Sequence, residues 1–269
     1  MGRAPVFAQS PTYDPNNVLT RPSQQVVVLV SGGLDSAVTL AAACAEFGAP
    51  RVAAITFDYG QRHRVELAAA ARVARAAGID PARHVTLRID LRAIGGSALT
   101  ADIDVPKDRL AHADQRSAGA HEVPVTYVPA RNLIFLSCAA ALAETIGADR
   151  IDIGANAVDY SGYPDCREPF LRAFEAAANA GTKAGAEDGR TLRVHAPLLR
   201  LSKAEIVRLG VRLGVDFSLT TSCYDPRVDN ERALACGRCD SCVIRARAFA
   251  AAGIADPTVY DGAARSAGA

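Results

Sequence analysis

The residues best suited to chemistry fall in a short turn near the N-terminus and a cysteine cluster near the C-terminus. The turn reads Ser31-Gly32-Gly33-Leu34-Asp35-Ser36. Adjacent glycines let backbone N–H groups approach an anion with no Cβ in the way. The start of the following helix adds the positive end of its dipole, and Ser31 and Ser36 add hydroxyls. Such a turn suits phosphate, yet it has no lysine and does have a carboxylate. It fits neither G-x-x-x-x-G-K-[ST] nor G-x-G-x-x-G, so ordinary P-loop and dinucleotide chemistry are not its natural readings. Asp35 would be repelled by phosphate unless a cation such as Mg²⁺ stood between them. The plainer alternative for Asp35 is pairing with the helix dipole.

Cys223, Cys236, Cys239 and Cys242 read C-x₁₂-C-x₂-C-x₂-C. Four soft ligands at this spacing fit a closed tetrahedral Zn²⁺ site, and an iron–sulfur cluster could use the same set. A closed site leaves no position for substrate, so its expected role is structural, stapling a small C-terminal lobe. Cys44 and Cys138 lie in alanine-rich helices and read as core. Cys166 lies in a loop where it either touches substrate or packs. Lys203 follows Ser202, which with Glu205 forms an S-x-x-E capping box. A lysine at a helix N-terminus opposes the dipole, a mismatch that makes sense if its ammonium reaches a phosphate and otherwise marks a solvated surface side chain. Arg131 follows Pro129 and opens a helix, where it clamps an anion or is simply exposed. The five histidines show no metal spacing, and His63 defaults to a surface role.

These residues need a scaffold. Val26–Val30 is a continuous β-branched run, expected as a strand buried on both faces. Helices are expected over Ser36–Phe47, Arg64–Ile79, Asn132–Gly147, Arg167–Thr182 and Ser202–Gly214, and further strands over Arg51–Gly60, His84–Leu91, Arg150–Asn156 and Leu192–Leu198. The alternation predicts an α/β fold with a parallel sheet and right-handed crossovers. Residues 95–125 read as an irregular, mobile insertion. Tyr59, Gln61 and Arg62 follow one strand at its C-terminal end, and Asp159, Tyr160, Tyr163 and Asp165 follow another; ligands bind at such ends.

The chain has 269 residues, 49% hydrophobic and 22% charged, with net charge +1. That balance gives no global case for nucleic acid or an anionic membrane, and no apolar run approaches the ~20 residues a bilayer span needs. Residues 1–25 lack the apolar core of a signal peptide and read as a loose tail. Seven cysteines suggest metal or chemistry in a cytoplasmic setting.

SGGLDS after a buried strand resembles the PP-loop of the ATP pyrophosphatases. With FDYGQRHRVEL (57–67), VPARNLIFLSCAAALAETIGA (128–148), IGANAVDYSGYPDCRE (153–168) and TSCYDP…CGRCDSC (221–242), it resembles the 7-cyano-7-deazaguanine synthase family, from about Val26 to Thr258. One departure is Arg167-Glu168-Pro169, where the family usually carries Arg-Pro-Glu, which leaves the role of Glu168 open. The resemblance implies a C–N bond-forming ligase with a Rossmann-like PP-loop fold of the adenine nucleotide alpha hydrolase type. It implies domains over 26–215 and a zinc lobe over 216–260. The implied activity converts a 7-carboxy-7-deazaguanine and ammonia, with ATP and Mg²⁺, to the nitrile through adenylated carboxylate and amide, in queuosine biosynthesis and as a homodimer without direct nucleic-acid contact. ATP would meet Val30, Ser31, Gly32, Gly33, Leu34, Asp35, Ser36, Ala37, Val38, Thr39 and Leu40. Asp35, Lys203 and Arg131 would serve catalysis. Tyr59, Gln61, Arg62, Asp159, Tyr160, Tyr163 and Asp165 would meet a guanine-like base, whose N–H donors suit a carboxylate and whose face suits an aromatic ring. Two competing readings are a PP-loop enzyme that thiolates tRNA and a nucleotide-binding module without turnover.

Overall fold

Val26–Leu29 forms β1, the central strand of a five-stranded parallel sheet in the computed structural model, which describes residues 25–61, 65–110, 123–156, 163–229 and 232–262. The strand order is β3-β2-β1-β4-β5, with β2 Val52–Asp58, β3 His84–Arg88, β4 Arg150–Asp152 and β5 Arg193–His195. Val26 pairs with Val52 on one side and with Arg150 on the other. The chain moves outward from β1 to β2 and β3, then returns to the other side of β1 for β4. Two connections therefore diverge above the C-terminal ends of β1 and β4, and such a switch point opens a crevice.

The β-branched run of β1 is buried on both faces because the residues alternate between two cores. Val26 and Val28 pack with Ala37, Leu40 and Ala43 of α1 (Leu34–Phe47) and with Ala70, Val73 and Ala74 of α2 (Val65–Ala76). Val27 and Leu29 pack with Phe135, Leu136 and Ala139 of α3 (Arg131–Ile146) and with Leu171 and Phe174 of α4 (Glu168–Gly181). Leu34 and Val38 pack with Ile206 and Val207 of α6 (Lys203–Arg212) and with Phe249 of α7 (Asp240–Ala252), so this core spans the expected boundary at residue 215.

Several elements differ from the reading of the sequence. The loop after α4 contains a short helix, α5 (Lys183–Ala186), and the cysteine segment carries a hairpin, β6 (Arg227–Asp229) with β7 (Arg232–Leu234), followed by α7. Ala98, Leu99 and Val105 are buried, in a stretch expected to be a polar, mobile insertion. Ala98 and Val105 pack against the cysteine lobe, and Lys107 bridges to Cys239. Residues 111–122, within that insertion, and residues 1–24, within the expected tail, lie outside the described residues. No helix among the described residues is long and apolar enough to cross a membrane.

Candidate active site

A cleft of about 320 Å³ opens at the switch point. The SGGLDS turn forms one wall. Gly32 has φ +83°, and a Cβ there would stand 2.6 Å from both Glu66 O and Ala70 N, so glycine lets the turn lie against α2. The two serine hydroxyls brace the turn: Ser31 N–H donates to Ser36 Oγ (3.2 Å), and Ser36 Oγ–H donates to Gly33 O (3.0 Å). The N–H groups of Leu34, Asp35 and Ser36, in the first turn of α1, have no acceptor within that helix and are available to an anion. Val30, Ser31, Gly33, Leu34, Asp35 and Ser36 line the cleft. Ala37, Val38, Thr39 and Leu40 do not belong to that surface: they are buried in the body of α1, with the Thr39 hydroxyl donating to Asp35 O (2.9 Å). Helical geometry turns Ala37 and Leu40 into the core beneath α1 and α2, and Val38 into the core with α6 and α7, away from the cleft.

Lys203 and Asp35 meet across the cleft, with Nζ 2.5 Å from Oδ2. The capping box is formed, with Ser202 Oγ accepting from Glu205 N–H (3.3 Å) and Glu205 Oε2 accepting from Ser202 N–H (2.7 Å). This fixes the start of α6 and aims its first residue inward. Asp35 Oδ1 is buried and takes no hydrogen bond among the described residues. An unused acceptor beside a turn suited to phosphate fits Mg²⁺, which is commonly held by one or two carboxylates together with substrate phosphates.

Arg131 occupies the opposite wall. It follows Ala130, which adopts φ 54° and is tied by its N–H to Tyr127 Oη (3.0 Å). A left-handed alanine costs about 1–2 kcal/mol, so the neighbouring contacts must hold this entry to α3. Asp165 is buried, and its Oδ2 accepts from Asn132 N–H (3.0 Å) at the start of the same helix. The carboxylate expected to meet the base edge is thus engaged in capping α3 and sits outside the cleft lining. The Arg131 guanidinium donates to Tyr59 Oη (3.4 Å) and lies 5.8 Å from the Tyr59 ring centroid, with no carboxylate salt bridge among the described residues. Gln61 lines the cleft while bracing the loop after β2: its Oε1 accepts from Tyr59 N–H (2.9 Å). Tyr163 donates to or accepts from Thr126 Oγ1 (3.0 Å) and reaches the cleft, as do Phe57, Phe135 and Tyr224. These rings form an aromatic wall suited to a flat heterocycle. Burial pushes the Tyr59 hydroxyl up to about 12 and the Cys166 thiol up to about 11, so Cys166 is a poor thiolate nucleophile at neutral pH. Arg62, Asp159, Tyr160 and His63 lie outside the described residues.

Three lining residues were not singled out in the sequence, although Glu66 and Asn156 lie within quoted stretches. Glu66, in the first turn of α2, is desolvated, which pushes its carboxyl up to about 7 while the nearby Arg131 pulls the other way. Asn156 donates to Leu198 O (3.1 Å) and Leu201 O (2.5 Å), fixing the approach to Lys203. Arg245, buried in α7, donates to Thr220 Oγ1 (2.7 Å), Ser222 Oγ (3.3 Å) and Phe217 O (3.1 Å). Each is a polar residue within a helix or strand-end pattern, and only the tertiary arrangement points it at the cleft.

The four cysteine Sγ atoms lie within 4.8 Å of one another. Tetrahedral Zn–S bonds of about 2.3 Å need sulfurs about 3.8 Å apart, a spacing that this cluster accommodates. Backbone N–H groups of Asp225 and Cys236 already point at Cys223 Sγ (3.4 and 3.2 Å), and that of Cys239 at Cys236 Sγ (3.3 Å), as anionic thiolates require. The cluster also bears on the cleft. Thr221, two residues before Cys223, donates its N–H to Gly32 O (2.9 Å). The segment that leads into the cysteine cluster therefore buttresses the SGGLDS turn. Cys44 and Cys138 pack against the two sheet cores, as expected.

The model of the family described as queuosine biosynthesis protein QueC matches residues 25–253. A 7-cyano-7-deazaguanine synthase from Solidesulfovibrio magneticus is 57% identical over 237 residues, covering 88% of this chain and 96% of its own. One from Myxococcus xanthus is 57% identical over 237 residues, covering 88% and 97%. Among solved structures, an NMN synthetase from Francisella tularensis aligns over 78% of this chain and 68% of its own with a TM-score of 0.41 and 19% identity, too distant to carry any argument.

Proposed function

The chain belongs to the QueC family of queuosine biosynthesis proteins, and from that premise we propose that its cleft makes 7-cyano-7-deazaguanine from the 7-carboxy compound and ammonia, adenylating first the acid and then the amide. The observation that carries the residue assignment is the pairing of opposite walls: a turn suited to phosphate with the Asp35–Lys203 pair on one side, and on the other a guanidinium with no carboxylate salt bridge among the described residues. A carboxylate is a poor electrophile. Transfer of an AMP group to its oxygen converts that oxygen into a leaving group, which an amine can displace. The amide oxygen is activated in the same way, and its departure leaves the nitrile. One site used twice suffices.

In this reading the N–H groups of the SGGLDS turn bind the leaving pyrophosphate. Lys203 exchanges its contact with Asp35 for a phosphate oxygen. Arg131 holds the substrate carboxylate beside the α-phosphate, neutralising two anions that would otherwise repel. Tyr59, Tyr163 and Tyr224 flank the deazapurine ring, and Gln61 keeps the Tyr59 loop in place. Asp35 Oδ1 would hold Mg²⁺, which when bound supplies charge neutralisation at the phosphates. Cys223, Cys236, Cys239 and Cys242 would hold Zn²⁺ in a structural role. We further propose a cytoplasmic homodimer as the working form, tested by light scattering on the eluted protein.

Incubating the purified protein with 7-carboxy-7-deazaguanine, ammonium, ATP and Mg²⁺ should give the nitrile with AMP and pyrophosphate. ADP as the nucleotide product would contradict cleavage between the α- and β-phosphates, and absence of nitrile would contradict the activity.

A further inference from the structure

Glu66 has no place in the roles above, yet it occupies a telling position. Its main-chain oxygen lies against the phosphate turn at Gly32, and its carboxyl lines the cleft and feels the charge of Arg131. The described residues offer this carboxyl no hydrogen bond. Glu66 is half-buried, and a carboxylate partly withdrawn from water is costly unless paired or hydrogen-bonded, so a structural role leaves it poorly explained. A cationic or N–H-bearing ligand would explain it. The reaction proposed above brings one such ligand to this spot. If Arg131 holds the substrate carboxylate, the carbon to be attacked lies beside Arg131, and the nitrogen must arrive alongside.

We propose that Glu66 binds the ammonium ion and is the general base that strips protons from the nitrogen throughout the reaction. This rests on the reading of Arg131 and the cleft as the acyl-activating site. Ammonium gives one proton to the Glu66 carboxylate and becomes nucleophilic. Its lone pair forms the C–N bond to the acyl carbon, a second proton leaves the nitrogen, and the C–O bond breaks with its electron pair departing on AMP. After the amide oxygen takes the second AMP group, the two remaining N–H protons leave and their electrons form the C≡N bond as the second C–O bond breaks. A nitrile nitrogen carries no hydrogen, so every proton of ammonium is lost in this cleft. Glu66 passes each to water at the cleft mouth. A base whose proton affinity lies near the working pH suits both uptake and release.

Other charged or titratable groups among the described residues face the same space: Arg131 on α3, Tyr59 at the end of β2, Tyr163 and Cys166 before α4, Tyr224 beside the cysteine site, Arg245 on α7, and the Asp35–Lys203 pair. All of them remain in Glu66→Gln, so a change in pH dependence in that variant belongs to Glu66. Glu66→Gln should keep acid-dependent ATP–pyrophosphate exchange within about threefold of wild type while nitrile formation falls at least about 100-fold. At constant free ammonia, the wild-type rate should climb through a limb near pH 7 that Glu66→Gln lacks, and Glu66→Asp should restore part of the rate. Hydroxylamine is already unprotonated at neutral pH, so the Gln variant should form the hydroxamate at nearly the wild-type rate. Nitrile formation by Glu66→Gln within threefold of wild type would overturn the proposal. So would equal loss of exchange and amination in a folded variant, which would mark a structural residue. Wild-type protein that neither exchanges pyrophosphate nor makes nitrile would overturn the functional reading itself, a result distinct from either.

Discussion

Replacing Gly32 by alanine isolates the close fit between the SGGLDS turn and α2. The new methyl group would stand 2.6 Å from Glu66 O, 2.6 Å from Ala70 N and 2.9 Å from Ala69 Cβ. Two of these are backbone atoms within or beside a hydrogen-bonded helix, so neither can swing aside. The backbone angle adds to the problem, since φ +83° costs an L-residue about 1–2 kcal/mol. Overpacking of this kind costs about 1–3 kcal/mol more. We expect Gly32→Ala to lose about 2–5 kcal/mol of stability, or else to push the turn off α2 and out of register with a phosphate. At the few degrees per kcal/mol usual for a chain of this size, the melting temperature should drop by roughly 10 °C. Gly33→Ala is the control, with an ordinary φ of −82° and its nearest neighbour, Ser31 Oγ, at 3.4 Å; it should stay within about 0.5 kcal/mol of wild type. Thermal unfolding followed by calorimetry, with pyrophosphate exchange on the surviving protein, reads both outcomes. Gly32→Ala that melts and exchanges like wild type would refute the close-packing argument.

Lys203→Met breaks a partly exposed ion pair, so its stability should change by less than about 1 kcal/mol, while acyl adenylation, followed by pyrophosphate exchange, should fall about 10²–10³-fold. Asp165→Ala leaves the Asn132 N–H without its acceptor; chemical denaturation should show a loss of about 1–2 kcal/mol, with weaker binding of the acid substrate because Arg131 begins the same helix. Zinc analysis should find about one metal per chain, and Cys239→Ser should raise hydrogen exchange at residues 220–224 and weaken ATP binding together, through the Thr221–Gly32 contact. Glu66 should also shape stability against pH. Its folded carboxyl sits near 7, above the ordinary 4.5, so the folded state holds the proton more tightly. Its contribution is therefore favourable below about 4.5 and lost as pH rises toward 7. Relative to Glu66→Gln, wild type should lose up to about 3 kcal/mol between pH 4.5 and 8, as read by denaturant titrations at each pH; a constant difference would contradict the desolvated carboxylate.

The features legible in the sequence are those set by local chemistry. The β1 run announced a strand buried on both faces, Ser202 and Glu205 announced a capped helix, and the cysteine spacing announced a metal site that the sulfur positions support. Tertiary placement was not legible. Asp165 followed a strand end and looked like a ligand for a base, but only the fold reveals that its carboxylate caps α3. Glu66 was not singled out within FDYGQRHRVEL, and only the contact between Gly32 and α2 puts it beside the cleft. Ala98 and Val105 lie in a stretch with no periodicity, so their burial against the cysteine lobe had no sequence signature. The hairpin β6–β7 is short and solvent-exposed on its first strand, which leaves no alternating pattern to detect.

Oxygen labelling tests the twofold activation most directly. The substrate acid carrying ¹⁸O at both carboxyl oxygens would be turned over with unlabelled ATP and ammonium, and the products weighed by mass spectrometry. Two adenylations at the Arg131-facing cleft predict unlabelled nitrile with two equivalents of AMP per nitrile, each bearing one ¹⁸O. Label in inorganic phosphate, or AMP without label, would contradict the scheme.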